Sequence, residues 1–139
     1  MRVLIVTTSE CVGGAAIAAS RLMQALKKNG VKAKMLVRDK QTDHLTVMPV
    51  GSSWTKPFKF LWERMCIFMA NGFKRKGLFL VDIANSGFDI VEHPEFQRAE
   101  VVHLHWINQG FLSLPTMERV LRSGKKVVVT MHDQWFFTG

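Results

Sequence analysis

The sequence has no tyrosine and only two cysteines in 139 residues. Cys11 and Cys66 are too few for a disulfide framework and too far apart for a Cys-x-x-Cys metal site, so both read as free thiols. Long apolar runs are also missing. Val3-Leu4-Ile5-Val6 is too brief for the hydrophobic region of a signal peptide, and no later stretch approaches membrane-spanning length. The expected location is therefore cytoplasmic. Acidic residues are scarce, 11 Asp and Glu against 19 Lys and Arg, which leaves a net charge of +8. No internal repeat or low-complexity tract is present, and the apolar content suffices for one buried core, so residues 1–139 read as a single domain.

An excess of one charge sign is informative when it is clustered. Between Trp54 and Val81 stand six cations (Lys56, Lys59, Arg64, Lys74, Arg75, Lys76) and one anion, Glu63. In the same segment Phe58, Leu61, Trp62, Met65, Phe68 and Met69 trace an i, i+3, i+4, i+7 stripe, which predicts a helix from Thr55 to about Asn71. Two roles stay open. Either the stripe packs on a sheet and the cations are its solvated face, or residues 56–76 form a cationic amphipathic surface that touches anionic lipid at the inner membrane face. No recognised nucleic-acid-binding motif accompanies the charge, so nucleic acid is not an expected partner.

Arg2 to Thr7 is a β-branched and aliphatic run of the kind buried on both faces of a parallel sheet. Gly14 to Asn29 carries Ile17, Leu22, Met23, Ala25 and Leu26 at helical spacing, with Lys27, Lys28 and Gly30 closing the helix. Val31 to Val37 is a second strand, giving a β-α-β unit whose crossover should be right-handed. Gln41 to Ser53 reads as a surface connection with at most a short strand near Leu45 to Val47. Residues 73–98 are mixed, with a short extended piece at Asp89-Ile90-Val91 and one helical turn from Pro94 to Arg98. Val101 to His105 is a strand, Leu114 to Leu121 a helix, and Lys126 to Met131 a strand of the same buried type as the first. This order predicts an α/β fold with a Rossmann-like, doubly wound parallel sheet.

Ligands of open α/β sheets bind beyond the carboxyl ends of the strands, so residues just after each strand are the candidates. After the first strand comes Thr8-Ser9-Glu10-Cys11-Val12-Gly13-Gly14-Ala15-Ala16, where glycines allow close backbone approach and the helix start offers free N–H groups to an anion. It lacks the Gly-x-Gly-x-x-Gly spacing of a dinucleotide loop, and a plain glycine turn serving helix–sheet packing is the alternative. After the third clear strand comes His103-Leu104-His105-Trp106-Ile107-Asn108-Gln109-Gly110. Period-two geometry puts His103 and His105 on one side and Leu104 on the other. Two imidazoles there, with His132 and Asp133, are one route to a metal site and a metal-dependent hydrolase; packing and strand-end capping are the structural alternative. After the last strand comes Thr130-Met131-His132-Asp133-Gln134-Trp135-Phe136-Phe137. There His132 and Asp133 can hydrogen-bond sugar hydroxyls while rings stack on apolar sugar faces.

The opening strand, the Gly13-Gly14-Ala15 loop, the phrase Ala99-Glu100-Val101-Val102-His103-Leu104-His105-Trp106 and Val128-Val129-Thr130-Met131-His132-Asp133 together resemble glycosyltransferase family 4. The resemblance implies the GT-B architecture, in which two Rossmann-like domains face across a cleft. It also implies sugar transfer from a nucleotide-sugar with retention of configuration, without an active-site metal and with no cofactor beyond the nucleotide-sugar donor. Residues 1–139 would be the N-terminal, acceptor-side domain. By that resemblance Gly13, Gly14 and Ala15 lie near donor phosphates and acceptor, His132 contacts the transferred sugar as the catalytic residue, and His105, Trp106, Asp133 and Trp135 line the cleft. The acceptor would be a glycan or a lipid-linked sugar. The paired-glutamate motif of the donor-binding half is not found in these residues, so the chain reads as a truncated fragment expected to be inactive alone, with turnover of a nucleotide-sugar by this polypeptide as the contrary result. An unpaired edge strand would favour self-association. A non-catalytic Rossmann ligand-binding module is the remaining alternative.

Overall fold

The aliphatic run at the start of the chain forms β1 (Arg2–Ser9) in the computed structural model, which describes residues 1–51, 54–75, 78 and 82–138. Ser53, Lys76, Val81 and Gly139, to which the sequence expectations extend, lie outside the described residues. Helix α1 (Gly14–Lys28) and β2 (Lys32–Asp39) complete the first β-α-β unit, and β3 (Val47–Pro49) follows after a short connection. Next come α2 (Thr55–Ala70), α3 (Pro94–Arg98), β4 (Val101–Leu104), α4 (Leu114–Leu121), β5 (Lys126–Val129) and the single turn α5 (Trp135–Thr138). Among the described residues five strands make one all-parallel sheet of order β3-β2-β1-β4-β5. That is a Rossmann-like α/β order, and it reverses direction between β1 and β4.

Both faces of the sheet carry a core. Val3 and Ile5 of β1 pack with Ala33, Met35 and Val37 of β2 beneath Ala19 and Met23 of α1. The alternate residues Leu4 and Val6 point the other way, onto Phe96 of α3, Met117 and Val120 of α4, and Phe111 and Leu112 from the loop between. Period-two geometry therefore sorts β1 between two layers, which is why its stretch from Val3 to Val6 is wholly apolar. Helix α1 uses the small Ala16 and Ala19 for its close approach, while Ile17 of the expected stripe is left exposed. Helices α3 and α4 both start on a capping side chain followed by proline: His93 Nδ1 accepts from Glu95 N–H and Ser113 Oγ from Thr116 N–H.

Three expectations need correction. No strand forms at Asp89-Ile90-Val91; residues 82–90 instead run as irregular chain held by Phe88 N–H to Phe111 O (2.7 Å) and Leu114 N–H to Ala84 O (2.9 Å). Gly87 is required there, since a Cβ would lie 2.3 Å from the backbone nitrogen of Ser113. β5 is not buried like β1. It ends at Val129 and among the described residues is bonded only to β4; Val128 is exposed on the α1 face, where α1 packs on β1 and β2 alone, and Val129 is exposed on the opposite face.

The third correction concerns α2. Its apolar stripe does not pack on the sheet: Phe58, Leu61, Trp62, Met65 and Met69 are exposed, and the buried residues are Glu63, Arg64 and Ile67. The fold side of the helix is instead polar. Glu63 accepts the Ala84 N–H (2.9 Å), Arg64 donates to Leu78 O and faces the carboxylates of Glu63 (3.4 Å) and Asp82 (4.0 Å), and Lys59 Nζ donates to Gly87 O (2.6 Å).

Candidate functional site at the carboxyl ends of the strands

The direction reversal between β1 and β4 places the loops after these strands side by side, and Thr8 joins them. Its N–H and hydroxyl both donate to Trp106 O (2.7 and 2.9 Å), and the hydroxyl also reaches Asn108 O (3.1 Å). Thr8 and Asn108 are buried, so the β4 loop is fixed to the end of β1 by satisfied polar groups.

Strand parity sets the side chains of β4. His103 and His105 lie on one face with ring centroids 4.6 Å apart, whereas Leu104 points into the opposite core layer. His103 Nε2 bonds to Thr130 Oγ1 (2.8 Å), and His105 Nδ1 bonds to His132 Nε2 (2.9 Å), the two rings stacking at 5.2 Å. His105 is buried, and its Nε2 pairs with none of the described residues. Burial first, then the neighbouring His103 and His132, push its pKa down to about 4. His103 is also shifted down, by burial and by His132. His105 is thus a neutral imidazole at physiological pH, held in place by the exposed His132 that it supports.

Beside this pair, Asp133 ties the β4 and β5 loops together. Its Oδ2 accepts from Trp106 Nε1 (2.8 Å) and from Asn108 Nδ2 (3.4 Å), and its Oδ1 accepts the Trp135 N–H (3.0 Å). Trp135 Nε1 in turn donates to Asp82 O (2.8 Å). The expected residues His105, Trp106, His132, Asp133 and Trp135 therefore form one connected cluster. Asp133 stays exposed with two aromatic rings beside it, an arrangement suited to a polyhydroxylated ligand.

The glycine loop is separate. Gly13, φ 89°, precedes α1 and has no side-chain cap, so the helix N-terminus is open, with no acid in its first turn. A Cβ at Gly13 or Gly14 would meet nothing within 4 Å, which removes helix–sheet packing as the reason for these glycines. Among the described residues no hydrogen bond joins Gly13, Gly14 or Ala15 to the histidine cluster. Within the same loop Glu10 is a structural residue: its carboxylate accepts from Gln41 N–H (2.7 Å), Thr42 N–H (2.9 Å) and the Thr42 hydroxyl. Burial would raise its pKa, but these bonds outweigh it and hold the carboxyl below its usual range.

Sequence reasoning missed Arg38 and Asp82. Arg38, at the end of β2, donates to Gln109 O, and Asp82 accepts the Gln109 N–H. Between them they clamp Gln109 at φ 62°, a left-handed conformation costing roughly 1 kcal/mol or more for a residue with a side chain. The Gln109-Gly110 pair after a strand hints at such a turn; the distant arginine and aspartate leave no local signal.

Among the described residues no group of three or more His, Cys, Asp or Glu is disposed to hold a metal ion, and His105 Nδ1 and His132 Nε2 are turned on each other. Cys11 and Cys66 are free. A cavity of about 600 Å³ opens at the amino ends of β1 and β2, between Lys27, Lys34 and Arg98, at the edge opposite the polar cluster. Comparison with protein-family models, curated proteins and solved structures returned no match.

Proposed function

We propose that this chain is the acceptor-side domain of a retaining glycosyltransferase of GT-B architecture, resembling family 4, that uses a nucleotide-sugar donor and a glycan or lipid-linked acceptor. The observation that carries the proposal is the linked pair of contacts His105–His132 and Trp106–Asp133 at the carboxyl ends of adjacent strands, next to the direction reversal where α/β sheets bind ligands. In this reading His132 orients the transferred sugar and is the catalytic residue. Neutral His105 fixes the ring of His132, Asp133 accepts sugar hydroxyls, and Trp106 and Trp135 supply apolar platforms. Gly13, Gly14 and Ala15 present the open start of α1 to the donor phosphates.

The test is titration of the chain with nucleotide-sugars and oligosaccharides, followed by NMR shifts of the histidine and indole protons. Saturable binding that shifts His132 and Trp106, and that weakens about tenfold or more in His132→Ala and Asp133→Asn, is the expected outcome. Stoichiometric zinc binding lost in His103→Ala would favour a metal-dependent hydrolase instead. Absence of saturable binding to both sugar classes would remove the proposal.

A further inference from the structure

Helix α2 is built the wrong way round for a helix serving its own core. Phe58 is 70% exposed, Leu61 63% and Trp62 53%, while Glu63, in the same turn, is 0% exposed. Trp54, Met65, Met69 and Phe73 extend the exposed apolar surface along the helix and past its end. A contiguous patch of this kind marks an interaction site, since burying these side chains against something would be favourable and the fold does not do it.

The charges around the patch indicate what covers it. Glu63 is the only acid from residue 54 to 75, and it is fully buried against Ala84 and Arg64. The exposed side of the helix therefore carries no negative charge. Lys56 stands at the helix start, and Lys74 and Arg75 are exposed just past its end. Lys59 and Arg64 are not part of this surface, because Lys59 is tied to Gly87 O and lies over the Phe88 ring while Arg64 is buried. Aromatic and aliphatic side chains between cationic ends, with Trp54 beside Lys56 at one of them, match the chemistry of a lipid headgroup boundary. A 16-residue helix is about 24 Å long, shorter than the ~30 Å hydrocarbon core, and no described helix is long and apolar enough to cross a membrane. α2 would lie in the interface plane.

We infer that the outward face of α2, centred on Phe58, Leu61 and Trp62 with Lys74 and Arg75 at its end, docks this protein on an anionic lipid surface. The inference rests on the α2 surface alone and stands apart from the sugar-transfer proposal. If the acceptor is lipid-linked, the same contact would bring the strand-end cluster to the membrane.

The experiment is co-sedimentation of the chain with vesicles of mixed phosphatidylglycerol and phosphatidylcholine, and with vesicles of phosphatidylcholine alone, with sedimentation velocity of the lipid-free protein beside it. Binding to the mixed vesicles, with a blue shift of tryptophan emission, is expected. It should drop by about tenfold or more in Leu61→Glu and Phe58→Glu, whose exposed positions leave folding intact by circular dichroism. Lys74→Glu and Arg75→Glu should each weaken it roughly fivefold, and salt should weaken it further. Binding to neither vesicle overturns the inference. So does equal binding to both kinds. A lipid-free dimer abolished by Leu61→Glu, without vesicle binding, would assign the face to a second copy of the chain and overturn it too.

Discussion

Protonating His105 would place a cation where the described residues offer its buried Nε2 no partner, and this sets a pH signature. The ordinary histidine value of 6.5 falls to about 4 in the fold. Between those values the unfolded chain takes up a proton that the folded chain refuses, so stability present above pH 6.5 is lost as pH falls toward 4, by on the order of 3 kcal/mol at most. Chemical denaturation across that range should show the loss, and His105→Gln should flatten it. An unchanged slope in the variant would mean that His105 is not the group responsible. Glu63 behaves in the opposite sense. Burial first, then the adjacent Asp82, raise its carboxyl from 4.5 to about 7, so its contribution is full below pH 4.5 and is lost as pH rises through 7. Glu63→Gln keeps an acceptor for Ala84 N–H without a charge. The variant should be more stable than the parent above pH 7 and gain nothing at pH 4.5, read as the difference in thermal midpoint at the two pH values.

At the scale of the element, the glycine loop before α1 separates conformation from packing. Gly13 sits at φ 89° and ψ 163°, a region essentially reserved for glycine, with open space around it, so Gly13→Ala should cost about 1–3 kcal/mol through backbone strain alone. Gly14 begins the helix in equally open space, and Gly14→Ala should be neutral or stabilising by up to about 1 kcal/mol. Urea unfolding of the two variants checks both; equal effects would refute the assignment of the positive φ to Gly13. How far each element was legible in the sequence follows from the range of the forces that shape it. β1, α1, α2 and α4 were readable because period and caps are local, and the same-face placement of His103 and His105 follows from strand parity. Periodicity finds the apolar stripe of α2 but cannot say which way it faces. That depended on Glu63 and Arg64 meeting Asp82, Ala84 and Leu78, contacts that close only in three dimensions. The exposure of β5 was illegible for a similar reason: a run of valines looks the same at the centre of a sheet as at its edge, and coverage of each face is decided by where the helices packed on it stop. At the candidate site the cluster members were legible as strand-end residues, while the clamp of Arg38 and Asp82 on Gln109 was not.

For the whole molecule, the strand order distributes stability unevenly. β1 is bonded on both sides, by β2 and β4, and all but its first residue is buried between two core layers. Opening β1 exposes both layers at once, so its amides should exchange with solvent only through global unfolding. β5 is bonded on one side only, and Val128 and Val129 already face solvent, so releasing it from β4 sacrifices little buried surface. Native-state hydrogen exchange should therefore show β1 amides with the full unfolding free energy and β5 amides several-fold to many-fold less protected, with α5 opening alongside β5 through the shared Asp133 contact. The consequence reaches the candidate site, because His132 and Asp133 follow the weakly protected edge strand β5 while their partners His105 and Trp106 follow a strand anchored to β1. Half of the cluster is rigid and half rides on an element that opens easily, so a ligand that bridges the two halves should slow β5 exchange. Protection of β5 equal to that of β1 in the free protein, independent of concentration, would contradict this account. Protection that grows with protein concentration would instead trace the β5 edge to pairing between copies.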